Sequence, residues 1–402
     1  MPELSIRSKE MPASAIRKLV PFAEAAKAKG IKVYHLNIGQ PDIITPPNAI
    51  KAIQNYNGTV VEYSHSAGLA EYREGLAKYY HSKGIEVSAD DIIVTTGGSE
   101  ALYFAMMVGF NPGDELIIPE PYYVNYNAFA LQADVKIVPI SSKIEDGFAL
   151  PKLEDFEAKL SKKTKGILIC NPNNPTGALY SKHELELLAE FAKKHDLFII
   201  ADEVYREFVY DENGHTSVMQ LKGIEDRVIL VDSNSKRYSE CGTRTGYLIC
   251  KNKAFMENAL KYGQARLSPP YFGQLMGIAS LETPQEYFKE VYDEYIERRN
   301  ILVEGLNKID GVFAPMPKGA FYAMAQFPID DSDKFCQWML ENFSYEGQTV
   351  MMAPATGFYS KPELGLKQVR LAYVLKKEDL VNAIKCLEIA LPQYRKEVMK
   401  IK

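Results

Sequence analysis

The feature that most constrains the fold is an alternation of short apolar runs with helical patterns between residues 91 and 250. Segments such as 99–108 and 182–195 have the longer period of helices. The short runs, each predicted to be a strand, are 92–94, 115–118, 135–139, 166–170, 197–201, 228–231 and 247–250. Strands that alternate with helices usually form parallel sheets. The sequence therefore predicts an α/β fold with a mostly parallel, seven-stranded sheet sandwiched by helices.

The two ends of the chain have a different character. Residues 13–30 are predicted to form a helix that can break near Pro21, and residues 32–37 a short strand. Residues 284–309 predict a long, charged amphipathic helix. We expect this helix to connect the large sheet to a smaller α+β unit near the C-terminus.

Charge and composition exclude several classes of function. The 402 residues contain 47 Lys+Arg and 52 Asp+Glu without a basic block, which argues against nucleic acid or a membrane surface as the main partner. No apolar stretch approaches the ~20 residues of a bilayer span, and no signal-peptide core is expected. The five widely spaced cysteines indicate reduced thiols of a cytoplasmic protein, and the six scattered histidines predict no metal site.

A lysine stands on the short connection that follows the predicted strand 228–231. The connection reads Ser233-Asn-Ser-Lys236, and Arg244 comes eight residues later. Ligands of open α/β sheets bind at strand ends, where a lysine can react with a carbonyl while serines and an arginine hold a phosphate. An aldehyde with a phosphate describes pyridoxal phosphate. A solvated lysine in a polar loop is the alternative when this segment is considered alone.

Two other strand-end segments are rich in glycine, proline and asparagine. Gly97 and Gly98 precede the helix 99–108, where close backbone approach and free N–H groups favour a phosphate. A plain tight turn explains this pair equally well. Residues 170–177 contain three asparagines and two prolines, which predicts a rigid turn that can aim an amide at a ligand. No GxGxxG is present, so a dinucleotide site is not expected.

Acidic and aromatic residues follow two more predicted strands. Asp202 directly follows the apolar run 197–201. A buried acid costs folding free energy at such a strand end unless it is paired or hydrogen-bonded. Its partner is either a structural cap or salt bridge, or the cationic ring nitrogen of a ligand; Tyr205 can reach the same pocket. After the run 115–118, Tyr123 belongs to a tyrosine cluster that is either core or a platform for a planar cofactor.

The order and spacing of these segments carry more information than each segment alone. Four polar residues follow one another at intervals of 28, 34 and 8 positions: Asn174, Asp202, Lys236 and Arg244. With Gly39 before them and Arg370 after them, the chain resembles the class I/II aminotransferases, pyridoxal phosphate enzymes of the aspartate aminotransferase fold. The motifs span residues 37 to 372. The resemblance implies a large cofactor-binding domain, residues 45–287, and a small domain made of both chain ends, 1–44 and 288–402.

The resemblance also implies catalytic roles. Lys236 matches the family's Schiff-base lysine, which is freed during turnover to act as general base. Asp202 matches the carboxylate that pairs with the pyridine nitrogen and keeps the ring an electron sink. Tyr205 and Asn174 match residues that bind the ring 3-hydroxyl oxygen, and Tyr123 matches the stacking aromatic.

Phosphate and substrate contacts follow from the same comparison. The implied phosphate-side residues are Gly98, Ser99, Glu100, Ser233, Ser235 and Arg244. Tyr63 matches a tyrosine that reaches the phosphate of the neighbouring subunit, which implies a homodimer with shared active sites. Arg370 matches the arginine that grips the substrate α-carboxylate by two hydrogen bonds, with Gly39 and Asn174 contributing.

The implied reaction is transamination between an L-amino acid and a 2-oxo acid, with aspartate and 2-oxoglutarate as candidates. Aspartate specificity requires a second cation. Arg266 is one candidate for that role; a solvated surface arginine is the alternative. Elimination, such as C–S β-lysis on the same scaffold, shares the cofactor residues and stays open at this point. A pyridoxal-phosphate-binding transcription regulator is not expected, because Gly39 leaves no room for an N-terminal winged helix.

The chain departs from the family pattern at a few positions. Asn234 stands where an aromatic residue is common, His65 where Thr or Pro is more usual, and Glu240 and Cys241 where residues are usually small or apolar. None of them belongs to the implied catalytic set. We therefore expect them to bear on substrate preference more than on the reaction type.

Overall fold

The structure, a computed structural model, describes residues 2–12, 14 and 16–400. The strands in this part of the chain are β1 (Lys32–His35), β2 (Ile92–Thr96), β3 (Glu115–Glu120), β4 (Lys136–Ser141), β5 (Thr164–Cys170), β6 (Phe198–Asp202), β7 (Val228–Ser233), β8 (Thr245–Ile249), β9 (Tyr322–Gln326), β10 (Gln348–Met351), β11 (Ala353–Pro354) and β12 (Gln368–Ala372). The α-helices are α1 (Ile6–Glu10), α2 (Val20–Ala28), α3 (Pro47–Gln54), α4 (Ala70–Ser82), α5 (Gly97–Gly109), α6 (Asn125–Ala133), α7 (Leu153–Glu157), α8 (Lys182–Lys194), α9 (Asn234–Arg237), α10 (Lys253–Ala265), α11 (Tyr271–Leu281), α12 (Gln285–Leu306), α13 (Ser332–Glu341) and α14 (Lys377–Glu397).

The main sheet has seven strands in the order β2-β8-β7-β6-β5-β3-β4. Strands β3 to β7 pair in parallel, whereas β8 runs antiparallel to both of its neighbours. Helices cover both faces, so successive residues of one strand enter different cores: Ile199 packs in one apolar cluster and Ile200 in the other. The prediction of a mostly parallel seven-stranded sheet is confirmed, and each predicted run overlaps one of its strands.

Two small sheets lie outside the main one. Strand β1 pairs in parallel with β10, so a segment near the start of the chain adds to one near its end. The other sheet is antiparallel, with the order β11-β12-β9. The predicted long helix is α12, which ends at Leu306 rather than 309 because the Asn307 side chain bonds both the N–H and the C=O of Ala314.

The N-terminal helix is shorter than predicted. Helix α2 begins at Val20, and residues 16–19 form turns before it; Ala13 and Ala15 of the predicted helix lie outside the described residues. A proline inside a helix lacks the N–H donor and clashes with the carbonyl four residues before it. Pro21 is compatible only with a first turn, where it stands. Among the described residues, the predicted helix at 16–19 and the extension of β1 beyond His35 were wrong.

The parallel strands bring the polar segments to one edge. Strands β5, β6 and β7 end at Cys170, Asp202 and Ser233, and the residues that follow each strand lie at the same edge of the sheet.

No helix in the described ranges combines the length and apolarity that crossing a bilayer requires. The same residues contain no group of three or more His, Cys, Asp or Glu arranged to bind a metal ion.

Candidate active site

A cavity of about 630 Å³ opens at the carboxyl edge of β5, β6 and β7. Most residues that the sequence predicted for the site line it together: Gly39, Gly98, Ser99, Tyr123, Asn174, Asp202, Tyr205, Ser233, Ser235, Lys236, Arg244 and Arg370. They come from segments that are separated by up to several hundred residues in the chain. The fold therefore gathers them at one edge, as ligand sites in open α/β sheets require.

Lys236 lies on α9, a single helical turn directly after β7. Ser233 caps this turn by accepting a hydrogen bond from the Ser235 N–H at 3.0 Å. The Lys236 Nζ donates to the Gly39 carbonyl at 2.9 Å and lies 3.6 Å from the Cys241 Sγ. Burial lowers the pKa of Lys236. This favours the neutral amine, the form that acts as a nucleophile or base.

Asp202 is a buried carboxylate at the end of β6. Tyr126 donates its hydroxyl to the Asp202 Oδ2 at 2.6 Å. Burial raises the pKa of Asp202 to about 6, and the Tyr126 hydrogen bond opposes that rise. Within the described residues no arginine, lysine or histidine forms an ion pair with Asp202. A carboxylate of this kind at a cavity wall suits a cationic ring nitrogen.

Asn174 and Arg370 form one hydrogen-bonded group in the cavity lining. The Arg370 Nη1 donates to the Asn174 Oδ1 at 3.0 Å, and its Nη2 donates to the Asn37 carbonyl. The Asn174 Nδ2 donates to the Tyr205 Oη at 3.3 Å. The Arg370 Nε is buried without a partner. An arginine held in this way has donor capacity left for a carboxylate in the cavity.

The start of α5 and Arg244 form a cradle for an anion. Gly97 has a φ of +73°, and a Cβ at this position would lie 2.4 Å from the Arg244 guanidinium. Glycine therefore permits the close approach of Arg244 to the first turn of the helix. The free N–H groups and the dipole of that turn favour negative charge. The amine, the unpaired carboxylate and this cradle together fit the aldehyde, ring nitrogen and phosphate of pyridoxal phosphate.

Three candidate residues, Glu100, Arg266 and Tyr63, lie outside the cavity lining. The Glu100 carboxylate accepts the Thr96 N–H at 2.8 Å and pairs with the Arg266 Nε at 3.0 Å, so the side chain serves the helix start and not the cavity. Arg266 also donates to the Val94 carbonyl at 2.6 Å, and its side chain is 15% exposed. The interpretation of Arg266 as a solvated surface residue was wrong. Tyr63 is 78% exposed and stays a prediction for a partner subunit.

Several cavity residues were not predicted for the site. One of them is Tyr322, whose Oη lies 2.9 Å from the Tyr205 Oη. Tyr126, which donates to Asp202, was not predicted either, and it lies outside the cavity lining. The other additions have no catalytic pattern in the sequence: Ser14, Ile16, Arg17, Ile38, Gln40, Leu102, Asn125, Cys170, Val204 and Cys241. Long-range packing brings these residues to the cavity, and no local signal marks them.

Two of the departures from the family pattern are explained by one contact. The Asn234 Nδ2 donates to the Glu240 Oε2 at 2.9 Å, and Ser280 of α11 donates to the other Glu240 oxygen. Tyr72 also donates to the Asn234 Oδ1, at 3.1 Å. These side chains lie behind the turn that carries Lys236. Asn234 and Glu240 therefore support the site from outside the cavity.

Comparisons with known proteins agree with this geometry. The family model described as aminotransferase class I and II matches residues 31–387. An aspartate aminotransferase of Pyrococcus horikoshii is 33% identical over 384 residues, covering 94% of each chain. Among solved structures, an aspartate aminotransferase of Thermotoga maritima has a TM-score of 0.89 at 32% identity, covering 97% of this chain and 100% of that one. An alanine aminotransferase of Pyrococcus furiosus has a TM-score of 0.88 at 31% identity with the same coverage.

These relatives decide between the reactions that the sequence left open. These relatives are aminotransferases, and the chain matches them along nearly their whole length. Pyridoxal-phosphate-dependent transamination is therefore supported, and elimination is not favoured. The family match covers most of the chain, including each of the polar strand-end segments. The chain belongs to the class I and II aminotransferases.

Proposed function

We propose that the cavity binds pyridoxal phosphate covalently through Lys236 and transfers amino groups between L-amino acids and 2-oxo acids. The observation that carries this proposal is the burial of the Lys236 amine, at 2.9 Å from the Gly39 carbonyl, in the cavity that also contains Asp202 and Arg244. The cofactor, when bound, supplies an electron sink for negative charge at the substrate Cα. Lys236 removes the Cα proton and returns it, which its lowered pKa favours.

The roles of the other residues follow from their positions. Asp202 holds the ring nitrogen in its protonated form, while Tyr126 keeps the carboxylate oriented. The N–H groups at Gly98 and Ser99, together with Arg244, hold the phosphate. On the same side, the Ser233 and Ser235 hydroxyls lie 2.9 Å apart and complete the cradle. Elsewhere in the lining, Asn174 and Tyr205 donate to the ring oxygen, and Tyr123 stacks on the ring.

Arg370 binds the substrate α-carboxylate in this proposal. Its contacts with Asn174 and Asn37 fix the guanidinium plane before substrate arrives, which reduces the entropy cost of a two-pronged bond. The Gly39 backbone lies at the same wall; a Cβ there would lie 1.8 Å from the Tyr322 Oη. Glycine at position 39 is therefore required by the packing against Tyr322.

We also propose a homodimer with shared active sites, and domains at 45–287 and at 1–44 with 288–402. Tyr63 is 78% exposed beside the exposed side chains of Val60 and Val61, at 67% and 51%. An exposed apolar segment of this kind is suited to a second copy of the chain. The pairing of β1 with β10 supports a small domain built from both chain ends. The five free cysteines support a cytoplasmic location.

The test is the substitution Lys236→Ala, with Lys29→Ala at an exposed position as the matched control. We expect Lys236→Ala to lose the visible absorbance of the bound cofactor and nearly all turnover, while the control keeps both. Initial rates of the wild-type protein should follow ping-pong kinetics. A panel of amino donors with 2-oxoglutarate and oxaloacetate identifies the preferred pair. If Lys236→Ala kept its absorbance and its activity, the proposal would be wrong.

A further inference from the structure

The segment before α2 brings a cation to the mouth of the active-site cavity. Arg17 lines the cavity, and so does its neighbour Ile16. The segment is held at two points: the Asn37 Nδ2 donates to the Ile16 carbonyl at 3.4 Å, and the Leu19 side chain is buried. Arg17 is itself exposed, so it lies at the open side of the cavity, close to the Asn37 backbone that accepts a hydrogen bond from Arg370.

The charges around the cavity are unbalanced. Its described lining has four cationic side chains, Arg17, Lys236, Arg244 and Arg370, and one carboxylate, Asp202. In the proposed function Lys236 binds the cofactor aldehyde, Arg244 the phosphate and Arg370 the α-carboxylate. Arg17 is the one of these four cations to which the proposed function assigns no part of the cofactor or substrate.

No acidic side chain in the described part of the chain neutralises Arg17. The ion pairs of its segment involve the neighbouring Lys18, which binds Asp333. The charge of Arg17 acts on the cavity instead: burial raises the pKa of Tyr123, and the positive charges of Arg370, Arg17 and Arg244 each oppose this rise. A guanidinium in this position is suited to a second carboxylate, because it can form two parallel hydrogen bonds with it.

Arg266, the residue suggested by the sequence for a distal carboxylate, is already engaged. It pairs with Glu100 at 3.0 Å and donates to the carbonyls of Val94 and Ser66 at 2.6 and 3.3 Å. Using Arg266 for a substrate would break these contacts. Arg17 requires no such rearrangement.

We propose that Arg17, on the N-terminal segment, binds the distal carboxylate of dicarboxylic amino acid and 2-oxo acid substrates and so determines the specificity of the enzyme. This inference rests on the proposed function, since Arg370 must take the α-carboxylate for Arg17 to meet the distal one. Substrates of the aspartate and glutamate type fit both arginines. Monocarboxylic substrates engage Arg370 alone.

The test compares Arg17→Gln and Arg17→Lys with the wild-type holoenzyme. For aspartate with 2-oxoglutarate, we expect Arg17→Gln to lower kcat/KM roughly 10- to 100-fold, the effect of removing a charge-assisted hydrogen bond. Alanine with 2-oxobutyrate, a pair in which donor and acceptor each carry one carboxylate, should change by less than about twofold, as for a surface substitution. Arg17→Lys should restore part of the dicarboxylate activity. Lys18→Gln, which removes a neighbouring cation that faces Asp333, should leave the ratio of the two activities unchanged.

A binding measurement separates this inference from the proposed function. Succinate and butyrate are titrated into the holoenzymes and followed by the cofactor absorbance. Arg17→Gln should weaken succinate binding and leave butyrate binding unchanged. An equal loss for both ligands, or a loss for neither, overturns the role of Arg17 while transamination stands. Failure of the wild-type protein to transaminate any amino acid would instead overturn the proposed function.

Discussion

At the scale of single residues, the site consists of buried polar groups whose usual partners are missing. Asp202 is 5% exposed without a cationic partner among the described residues, and the Arg370 Nε is buried with no hydrogen bond. Each arrangement costs free energy unless a ligand supplies the partner, because burial penalises unpaired charge and unsatisfied donors. Cofactor and substrate are expected to recover this cost when they bind.

Tyr126→Phe tests how Asp202 is held. The substitution removes the hydroxyl that donates to the Asp202 Oδ2 at 2.6 Å and leaves the ring in place. A hydrogen bond to a charged group contributes roughly 1.5–3 kcal/mol, so we expect cofactor affinity to fall about tenfold or more. Equilibrium dialysis of the cofactor-free protein measures the change. Tyr180→Phe, at another buried tyrosine outside the cavity lining, is the control, and equal affinities for both variants would contradict the assignment.

At the scale of elements, the sequence predicts those strands and site residues that a local sequence pattern determines. Strand β6 was recognised because its apolar run is buried on both faces, and the Asp202 that ends it was singled out as costly. The placement of Glu100 and Arg17 was not predictable, because it depends on Arg266, which follows α10, and on the turn before Pro21. Neither long-range contact leaves a periodic signal in the sequence. The sequence thus predicted the motif residues of the cavity, whereas it did not predict the neighbouring residues that reach the cavity through long-range contacts.

Gly97→Ala tests the geometry between α5 and Arg244. A Cβ would lie 2.4 Å from the guanidinium, and the φ of +73° strains any residue with a side chain. We expect cofactor affinity to fall roughly 10- to 100-fold because Arg244 is displaced from the helix start, losing a charge-assisted contact. Gly113→Ala is the matched control, since Gly113 has a φ of +83° but open space around it. The control should lose stability through strain and keep its cofactor affinity; an equal loss of affinity in both variants would refute the cradle.

Glu240→Gln tests the support behind α9 through its pH dependence. Burial raises the pKa of Glu240 from 4.5 to about 7, although bonds from Ser280 and Asn234 oppose this. The folded protein then holds this proton more tightly than the unfolded chain, so Glu240 makes the free energy of unfolding decrease as pH rises from about 4.5 to 7. Glutamine removes this dependence. We expect Glu240→Gln to raise Tm relative to the wild type at pH 8 and to have little effect at pH 4.5; the reverse order would contradict the shift.

At the scale of the whole molecule, the proposed homodimer would bring exposed side chains of one copy to the active site of the other. Tyr63 lines no part of the cavity of its own chain and is exposed, although its segment precedes α4, which packs against the main sheet. The same holds for the exposed Ile44, Val60 and Val61 on the neighbouring loops. A second copy that covers these side chains would place Tyr63 near the phosphate cradle of its partner. The monomer sequence indicates this arrangement only through the resemblance to its family.

Hybrid dimers test the shared site. Tyr63→Ala and Lys236→Ala proteins are unfolded, mixed and refolded together, and cofactor affinity and turnover are compared with each variant refolded alone. If Tyr63 completes the site of the partner, each hybrid dimer contains one intact site, because both substitutions fall in the other one. We therefore expect about half of the hybrid dimer's sites to regain wild-type affinity. A mixture that only averages the two variants would contradict the shared site.

The central claim is that Lys236 carries the cofactor, and one measurement tests it directly. The holoenzyme is reduced with borohydride, digested and analysed by peptide mass spectrometry, with Lys236→Ala treated in parallel. We predict that the mass of reduced pyridoxal phosphate is found on the peptide that contains Lys236, and on no peptide of the variant. Attachment at another lysine, or a wild-type protein without any modified peptide, would contradict the account.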